Sequence, residues 1–103
     1  QDIELMICWF DQDRPLRPRG KYTIRHTTRD ARCMVKEVRY KLDINSLHRK
    51  MDDKTIELND VGRIVIRTTQ PLFVDPYRRN RETGSVILID EQTNNTVAAG
   101  MVI

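Results

Sequence analysis

The sequence lacks the glycine-rich motifs of phosphate-binding loops and the long apolar runs of membrane-spanning helices. It has four glycines and neither a GxxxxGK[ST] nor a GxGxxG pattern, which excludes a glycine-rich phosphate-binding loop. No apolar run approaches the ~20 residues of a membrane span, and no signal peptide opens the chain. Two cysteines without close spacing indicate a reducing compartment. We therefore expect a cytoplasmic domain that makes no membrane contact.

Cysteine and histidine are too few and too scattered to define a metal site. The chain has two of each, the composition of a Cys2His2 zinc site, but no pair has CxxC or HxxxH spacing. The residues are Cys8, His26, Cys33 and His48. Buried thiols and ordinary histidines are the favoured interpretation. No catalytic, cofactor-binding or metal-ligating residue is predicted in this chain.

Apolar and polar residues alternate with a period of two, and helix-period stretches are absent, which predicts an all-β domain. Six strands are separated by turns rich in Gly, Pro, Asn and Asp. The predicted strands span residues 3–10, 21–27, 31–44, 63–69 with a continuation through 71–74, 84–90 and 96–103. One short helical turn is predicted at residues 46–51.

The third predicted strand changes the parity of its apolar residues near Lys36. The apolar set is Ala31, Cys33 and Val35, followed in the opposite phase by Val38, Tyr40 and Leu42. One extra residue in the strand would return both halves to the same face. We therefore predict a β-bulge near Lys36.

Residues 84–103 predict a β-hairpin, because two apolar runs flank a polar segment. Each run has almost no charge, so both strands are expected to be covered on both faces or nearly so. Ala98, Ala99 and Gly100 predict a bulge, a bend or a close backbone approach. Strands of this kind need partners along both edges, which favours a closed barrel over an open sandwich.

Positive charge is concentrated in one block. Residues 14 to 41 contain ten Lys and Arg against Asp30 and Glu37, a local balance of +8 in a chain of net charge +3. The asymmetry indicates an electrostatic partner such as nucleic acid, nucleotide phosphates or an acidic protein face. The alternative is a solvated strand face that neighbouring carboxylates neutralise, and composition leaves both interpretations open.

Two arginine-rich loops are the candidate contact sites. They comprise Arg14, Arg17 and Arg19 in a proline-containing loop after the first strand, and Tyr77, Arg78, Arg79 and Arg81 before the final hairpin. Arginine is the side chain best suited to carboxylate or phosphate in bidentate geometry. A protein–protein or interdomain contact is favoured over plain solvated loops. Nucleic acid is not expected, because a single aromatic residue is thin support for base stacking.

Several blocks of the sequence resemble the C-terminal barrel of sulfate adenylyltransferase subunit 1, a translation-factor-like GTPase. The most specific are NRETGSVILID at residues 80–90 and TNNTVAAGM at 93–101. Further matching blocks are LNDVGRI at 58–64, DPYRR at 75–79, CWFD at 8–11, RPL at 14–16 and EVRY at 37–40. The resemblance spans nearly the whole chain.

This resemblance implies a six-stranded antiparallel closed barrel like domain three of elongation factor Tu. Residues 1–103 would then be a single excised C-terminal domain of a longer GTPase chain, in keeping with a sequence that starts at Gln1 and ends within an apolar run. GTP, ATP and Mg are implied for the parent enzyme and none of them for this chain. The implied partners are the upstream GTPase domain, the catalytic subunit 2 and, in bifunctional forms, a downstream adenylylsulfate kinase domain.

The function that follows from the resemblance is mechanical. A rigid barrel would hold the GTPase domain and the catalytic subunit in register, so that GTP hydrolysis drives the formation of adenylyl sulfate from ATP and sulfate. One alternative is an RNA-contacting barrel of a translation GTPase, motivated by the basic block. Another is a self-contained small enzyme, against which the missing motifs argue.

Overall fold

The computed structural model describes residues 1–17, 19–27, 29–42, 49–50, 55–70, 79 and 84–103. This part of the chain is built from β-strands. The strands are β1 Asp2–Trp9, β2 Lys21–His26, β3 Arg29–Leu42, β4 Arg49–Lys50, β5 Val61–Thr68, β6 Ser85–Asp90 and β7 Thr96–Val102. No helical segment in the described ranges has the length and hydropathy needed to traverse a bilayer.

Six of the strands close into an antiparallel barrel. Their order is β2-β6-β7-β1-β5-β3, and a further pairing between β2 and β3 joins the two ends of the sheet. The short β4 adds to β3 outside this ring, where it pairs with Lys41 and Leu42. Closure gives both strands of the final hairpin a partner, since β6 pairs with β2 and β7 pairs with β1. The predicted closed barrel is confirmed.

Alternation of inward and outward residues along the strands fills most of the barrel. The inward residues are those whose parity predicted burial, among them Ile3, Leu5, Ile7, Trp9, Tyr22, Ile24, His26, Ile64, Ile66 and Thr68. At the final closure, Gly100 lies opposite Ile7 on β1 and Val86 on β6. A Cβ atom there would lie 2.8 Å from Ile7 Cγ2, so glycine allows this close approach.

Strand β3 contains the predicted bulge and a second one that was not predicted. Its register against β5 shifts between Val35 and Glu37, which places the extra residue at Lys36 as expected. A further shift between Val38 and Tyr40 sets Tyr40 opposite Arg63. Tyr40 is buried but lies outside the core cluster, and its phenol interacts with the Arg63 guanidinium. Tyr40 is thus buried in alternation with Val38, as predicted, although it does not join the main core cluster.

Other differences concern element boundaries. Arg49 and Lys50 are extended in β4, so the predicted helical turn at residues 46–51 is wrong for those two positions. The rest of that turn, like the predicted strand continuation at residues 71–74, lies outside the described residues. Strand β5 begins at Val61 rather than at Arg63. The turn before it is made at Asn59, whose φ of 67° is left-handed and suits asparagine.

The outer face of the final hairpin is more open than its composition predicts. Ile87 and Ala99 are half-buried on this face, and Met101 is 41% exposed. The inner face is packed, with Val86, Leu88 and Ala98 in the core. The prediction that both faces of the hairpin strands are covered is therefore only partly right, because their outer face is an apolar surface that is partly exposed.

The two thiols on opposite faces of the barrel provide a direct test of the strand alternation. Cys8 is half-buried on the outer face of β1, whereas Cys33 is 3% exposed in the core, where burial raises the pKa of its thiol to about 12. We expect a thiol reagent at neutral pH to modify Cys8 in the native protein and Cys33 only in denaturant. Mass spectrometry of the wild type and of Cys8→Ser checks this, and native labelling of Cys33 would contradict it.

Candidate contact surface

The front loop, residues 11–20, is fastened to one end of the barrel. Leu16 is buried there, and its amide donates to the carbonyl of Ile56 at 2.8 Å. The Trp9 indole Nε1 donates to the carbonyl of Arg14 at 2.8 Å. The Gly20 amide donates back to the Arg17 carbonyl at 2.9 Å. The loop is thus a fixed platform, and the positions of its arginines are set by the core beneath it.

Two of the three front-loop arginines bind the turn between β6 and β7. Nη1 of Arg14 donates to Oε1 of Gln92 at 3.0 Å. Nη2 of Arg17 lies 3.6 Å from Oδ2 of the buried Asp90, and the Arg17 guanidinium lies 5.6 Å from the centroid of the Tyr22 ring. The latter distance is within the range of a cation–π interaction. These two side chains therefore stabilise the domain itself and have little freedom to bind a partner.

Asp90 organises the turn that receives these arginines. Its carboxylate accepts the Gln92 amide at 2.7 Å, which closes an Asx turn. Its backbone is paired as well, because the Asn94 amide donates to the Asp90 carbonyl at 2.9 Å. Asn94 adopts a φ of 59°, the left-handed conformation that asparagine tolerates. The buried Asp90 carboxylate, held between the Gln92 amide and the Arg17 guanidinium, therefore has a structural role.

Arg19 is the front-loop arginine that stays available. It is exposed, has a left-handed φ of 59°, and forms no hydrogen bond or ion pair with a described residue. With Lys21, Glu91 and Gln92 it lines a shallow depression of about 390 Å³ between the front loop and the β6–β7 turn. The predicted contact site in this loop is thereby reduced to Arg19 and the depression beside it.

The second arginine loop is described at one position. Arg79 is exposed. Tyr77, Arg78 and Arg81 lie outside the described residues, so the grouping of this cluster stays a prediction. The described residues therefore do not locate this cluster relative to the front loop.

Cross-strand ion pairs neutralise most of the basic block. On the outer face, Asp2 pairs with Lys36 and Arg67, and Glu4 pairs with Arg39 and Arg63. Arg25 forms a two-point pair with Asp30, with N–O distances of 2.8 and 3.0 Å, and Lys41 lies 3.1 Å from Asp60. These contacts support the interpretation of the block as a solvated strand face balanced by carboxylates, and they leave few cations for a polyanion.

The same pairs predict that acid destabilises the fold. Hydrogen bonds from Arg67 and Lys36 hold the pKa of Asp2 well below its usual range, and hydrogen bonds from Arg63 and Arg39 lower that of Glu4. A depressed folded-state pKa means that each carboxylate stabilises the fold at neutral pH. That contribution is lost as the pH falls below about 4, through the folded-state pKa.

We expect the urea midpoint to fall between about pH 5 and about pH 2, and Glu4→Gln to make this decline shallower. Asp13→Asn is the matched control, because Asp13 is exposed and its carboxylate forms no ion pair with a described residue. Urea titrations at several pH values measure the effect. An unchanged pH dependence in Glu4→Gln would contradict the assigned role of the pair.

The cysteines and histidines do not converge. Cys8 faces outward, whereas His26 and Cys33 face inward, and His48 lies outside the described residues. In the described ranges, no group of three or more His, Cys, Asp or Glu side chains is placed to hold a metal ion.

The sequence did not predict which residues accept the contacts of the front-loop arginines. Asp90 was assigned only to the end of the strand at residues 84–90 and Gln92 only to the polar segment after it, yet they receive Arg17 and Arg14. The pairing of β2 with β6 sets Tyr22 opposite Asp90, and that pairing connects strands far apart in sequence. An acidic residue at the end of an otherwise apolar strand was the available signal.

The comparisons with known proteins agree on one relationship. The family model described as GTP-eEF1A C-terminal domain-like matches residues 2–103. The chain is 45% identical over its whole length to the bifunctional enzyme CysN/CysC of Mycobacterium tuberculosis (strain H37Rv), covering 17% of that protein. It is 38% identical over its whole length to sulfate adenylyltransferase subunit 1 of Bacteroides fragilis, covering 21% of it. The chain thus spans about a fifth of the length of these relatives.

Solved structures agree on the fold. A crystal structure of Sup35 complexed with GDP superposes with a TM-score of 0.85 at 15% identity, covering 99% of this chain and 24% of that one. At this identity the likeness concerns the fold alone, and it matches the closed barrel described above. The family model, which matches nearly the whole of this chain, establishes that the chain belongs to the GTP-eEF1A C-terminal domain-like family.

Proposed function

We propose that this barrel is a non-catalytic contact domain of the GTPase subunit of a sulfate adenylyltransferase. The observation that carries the proposal is the 45% and 38% identity, over the whole chain, to CysN/CysC and to sulfate adenylyltransferase subunit 1. The parent would bind GTP and Mg in an upstream domain, and a cytoplasmic catalytic subunit 2 would transfer the adenylyl group from ATP to sulfate. A downstream adenylylsulfate kinase domain, as the name of the bifunctional relative suggests, is compatible with this arrangement.

The described residues suit a mechanical role. In the described part of the chain, six strands close on one another, the front loop is bonded to the core, and several outer charges are paired across strands. A rigid body of this kind transmits a displacement of a neighbouring domain without deforming. GTP hydrolysis would bias the relative arrangement of the GTPase domain and the catalytic subunit, and this bias would drive an unfavourable adenylylation.

The experiment measures adenylyl sulfate formation by the longer chain together with its catalytic subunit, with and without GTP. We expect GTP to stimulate the reaction and the isolated barrel to have no activity. Turnover by the isolated barrel would overturn the proposal, as would GTP-independent turnover by the longer chain.

Binding of RNA by the isolated barrel would favour a different function for this domain. Because most of the basic block is ion-paired, we expect no salt-sensitive binding of transfer RNA or ribosomal RNA by the isolated barrel. A titration at low salt measures this. Binding that weakens steeply with salt would support an RNA-contacting domain instead.

A further inference from the structure

The outer surface of the barrel is divided into a charged part and an uncharged part. Strand β1 shows the division within one strand, since its outward residues are Asp2 and Glu4 in the first half and Met6 and Cys8 in the second. The first half carries the cross-strand ion pairs. The second half continues sideways into an apolar strip made of Met6, Cys8, Val61, Ile87, Ala99 and Met101.

Strand register makes this strip continuous. Cys8 is paired with Val61 on β5 and with Ala99 on β7, and Ala99 is paired with Ile87 on β6. A second row alongside pairs Met6 with Met101. Directly paired residues have Cβ atoms about 5 Å apart, so the side chains form one surface across four strands. The strip lines a groove of about 580 Å³ on the outside of the barrel.

The shape and chemistry of the groove favour a macromolecular partner over a small molecule. Small-molecule sites are concave and place a few polar groups to orient the ligand. This groove is open along the barrel wall, and although Arg25 also lines it, the Arg25 guanidinium is already bound to Asp30 by two hydrogen bonds. An approaching charge would be desolvated there without a partner, which is unfavourable. The matching surface is therefore apolar and uncharged.

The small size of the strip indicates a partner that is joined to the barrel by a linker. A stable interface between independent proteins takes about 20–30 residues on each side, and the strip supplies six. A domain joined by a linker is presented at an effective concentration in the millimolar range, where a small apolar contact suffices. The relatives that contain this barrel are about five times its length, so such neighbours are present in them.

We propose that the apolar strip is the docking face for a neighbouring domain of the same polypeptide, which covers it with an uncharged apolar surface. The inference rests on the proposed function, because it takes the barrel to be part of a longer chain. It adds to the proposed function the face of the barrel on which the neighbouring domain docks. The strip lies on the wall formed by β5, β1, β7 and β6, whereas the depression beside Arg19 lies at the front loop.

Methionine oxidation tests this assignment. Met101 lies in the strip, and Met34 is an outward residue of β3 in the charged part of the surface. Hydrogen peroxide is applied to the isolated barrel and to the longer chain, and sulfoxide formation is followed by mass spectrometry. We expect Met101 to be oxidised about tenfold more slowly in the longer chain, independently of protein concentration, and Met34 to be unchanged. Equal rates for Met101 in both samples would overturn the proposal.

Two other outcomes would also overturn it. Protection of Met101 in the isolated barrel that grows with protein concentration would make a second copy of the barrel the occupant. Equal protection of Met34 and Met101 would show that the strip is not the specific face. GTP-stimulated turnover is measured on the same longer chain, so loss of Met101 protection with stimulation intact would refute this inference alone.

A pair of variants keeps the test independent of folding. Met101→Arg places a charge in the strip, and Met34→Arg places the same charge outside it. We expect Met101→Arg, but not Met34→Arg, to increase the labelling rate of Cys8 in the longer chain about tenfold. Cys33 reports folding in both variants, because it is buried in the core and stays unlabelled while the barrel is intact. An unchanged Cys8 rate in Met101→Arg contradicts docking at the strip.

Discussion

Replacement of Trp9 by alanine is expected to lower the free energy of unfolding by about 4 kcal/mol, a large share of the roughly 5–15 kcal/mol of a domain this size. Trp9 is 1% exposed and meets the Tyr22 ring edge-to-face, with centroids 5.9 Å apart. Its indole also holds the front loop through the carbonyl of Arg14. The substitution therefore leaves a cavity at the barrel end and detaches the loop above it.

Phe10 provides the matched control for Trp9. It is the next residue, an aromatic that is 47% exposed, and Phe10→Ala is expected to change stability by less than about 0.5 kcal/mol. Trp9→Phe keeps most of the packing but loses the indole donor, so its cost should lie between the two. Urea denaturation followed by circular dichroism measures all three. A cost for Trp9→Ala near that of Phe10→Ala would show that the indole does not anchor the barrel end.

Replacement of Gly100 by valine is expected to cost about 3 kcal/mol by overpacking. Gly100 faces inward where β7 crosses between β1 and β6. A Cβ atom would lie 2.8 Å from Ile7 Cγ2 and 3.1 Å from the Met6 carbonyl oxygen. The side chain of Ile7 is fully packed, and the Met6 carbonyl belongs to the backbone of β1. Neither can move aside without disturbing the closure of the barrel.

Ala99→Val provides the control at the adjacent position. Ala99 faces outward in the apolar strip, so the same final side chain should change stability by less than about 0.5 kcal/mol in the isolated barrel. Adding Ile7→Ala to Gly100→Val should recover part of the loss, because the removed atoms are those that clash. Chemical denaturation of the three variants decides the matter. Equal costs at positions 99 and 100 would refute the assigned facing of the strand.

The alternation of apolar residues predicted most of the barrel, because a residue's face in a strand follows from its parity. Ile3, Leu5 and Ile7 faced the core as expected, and the parity change at Lys36 located a real bulge. The second irregularity, at Arg39, left no such trace. Tyr40 is buried as its alternation with Val38 predicts, and its pairing with Arg63 became visible only from the strand register.

Contacts between distant segments were beyond the reach of sequence patterns. Arg17 was predicted to contact a partner, but its role as an internal anchor depends on Asp90, which is brought near by the pairing of β2 with β6. Charge counting left two interpretations open for the basic block, an electrostatic partner or a solvated face balanced by carboxylates, and the ion pairs of the described residues support the second. The uncharged sequence of the hairpin indicated part of the apolar strip. Its continuation to Met6 and Cys8 on β1 could be found only from the strand register.

Among the described residues, the predicted contact arginines that remain available are Arg19 and Arg79, both exposed. If the barrel couples GTP hydrolysis to adenylyl transfer, their removal should uncouple the two reactions while each still proceeds. Arg29→Ala is a suitable control, because Arg29 is also exposed but lies at the start of β3, outside both loops.

The most direct measurement is the number of GTP molecules hydrolysed per adenylyl sulfate formed by the longer chain with its catalytic subunit. We predict that this ratio rises about fivefold or more in the Arg19→Ala, Arg79→Ala double variant, which corresponds to a change of about 1 kcal/mol or more in the difference between the activation free energies of the two reactions. The Arg29→Ala control should keep the wild-type ratio. A wild-type ratio in the double variant would contradict the role proposed for these arginines, and adenylyl sulfate formation by the isolated barrel would contradict its assignment as a non-catalytic domain.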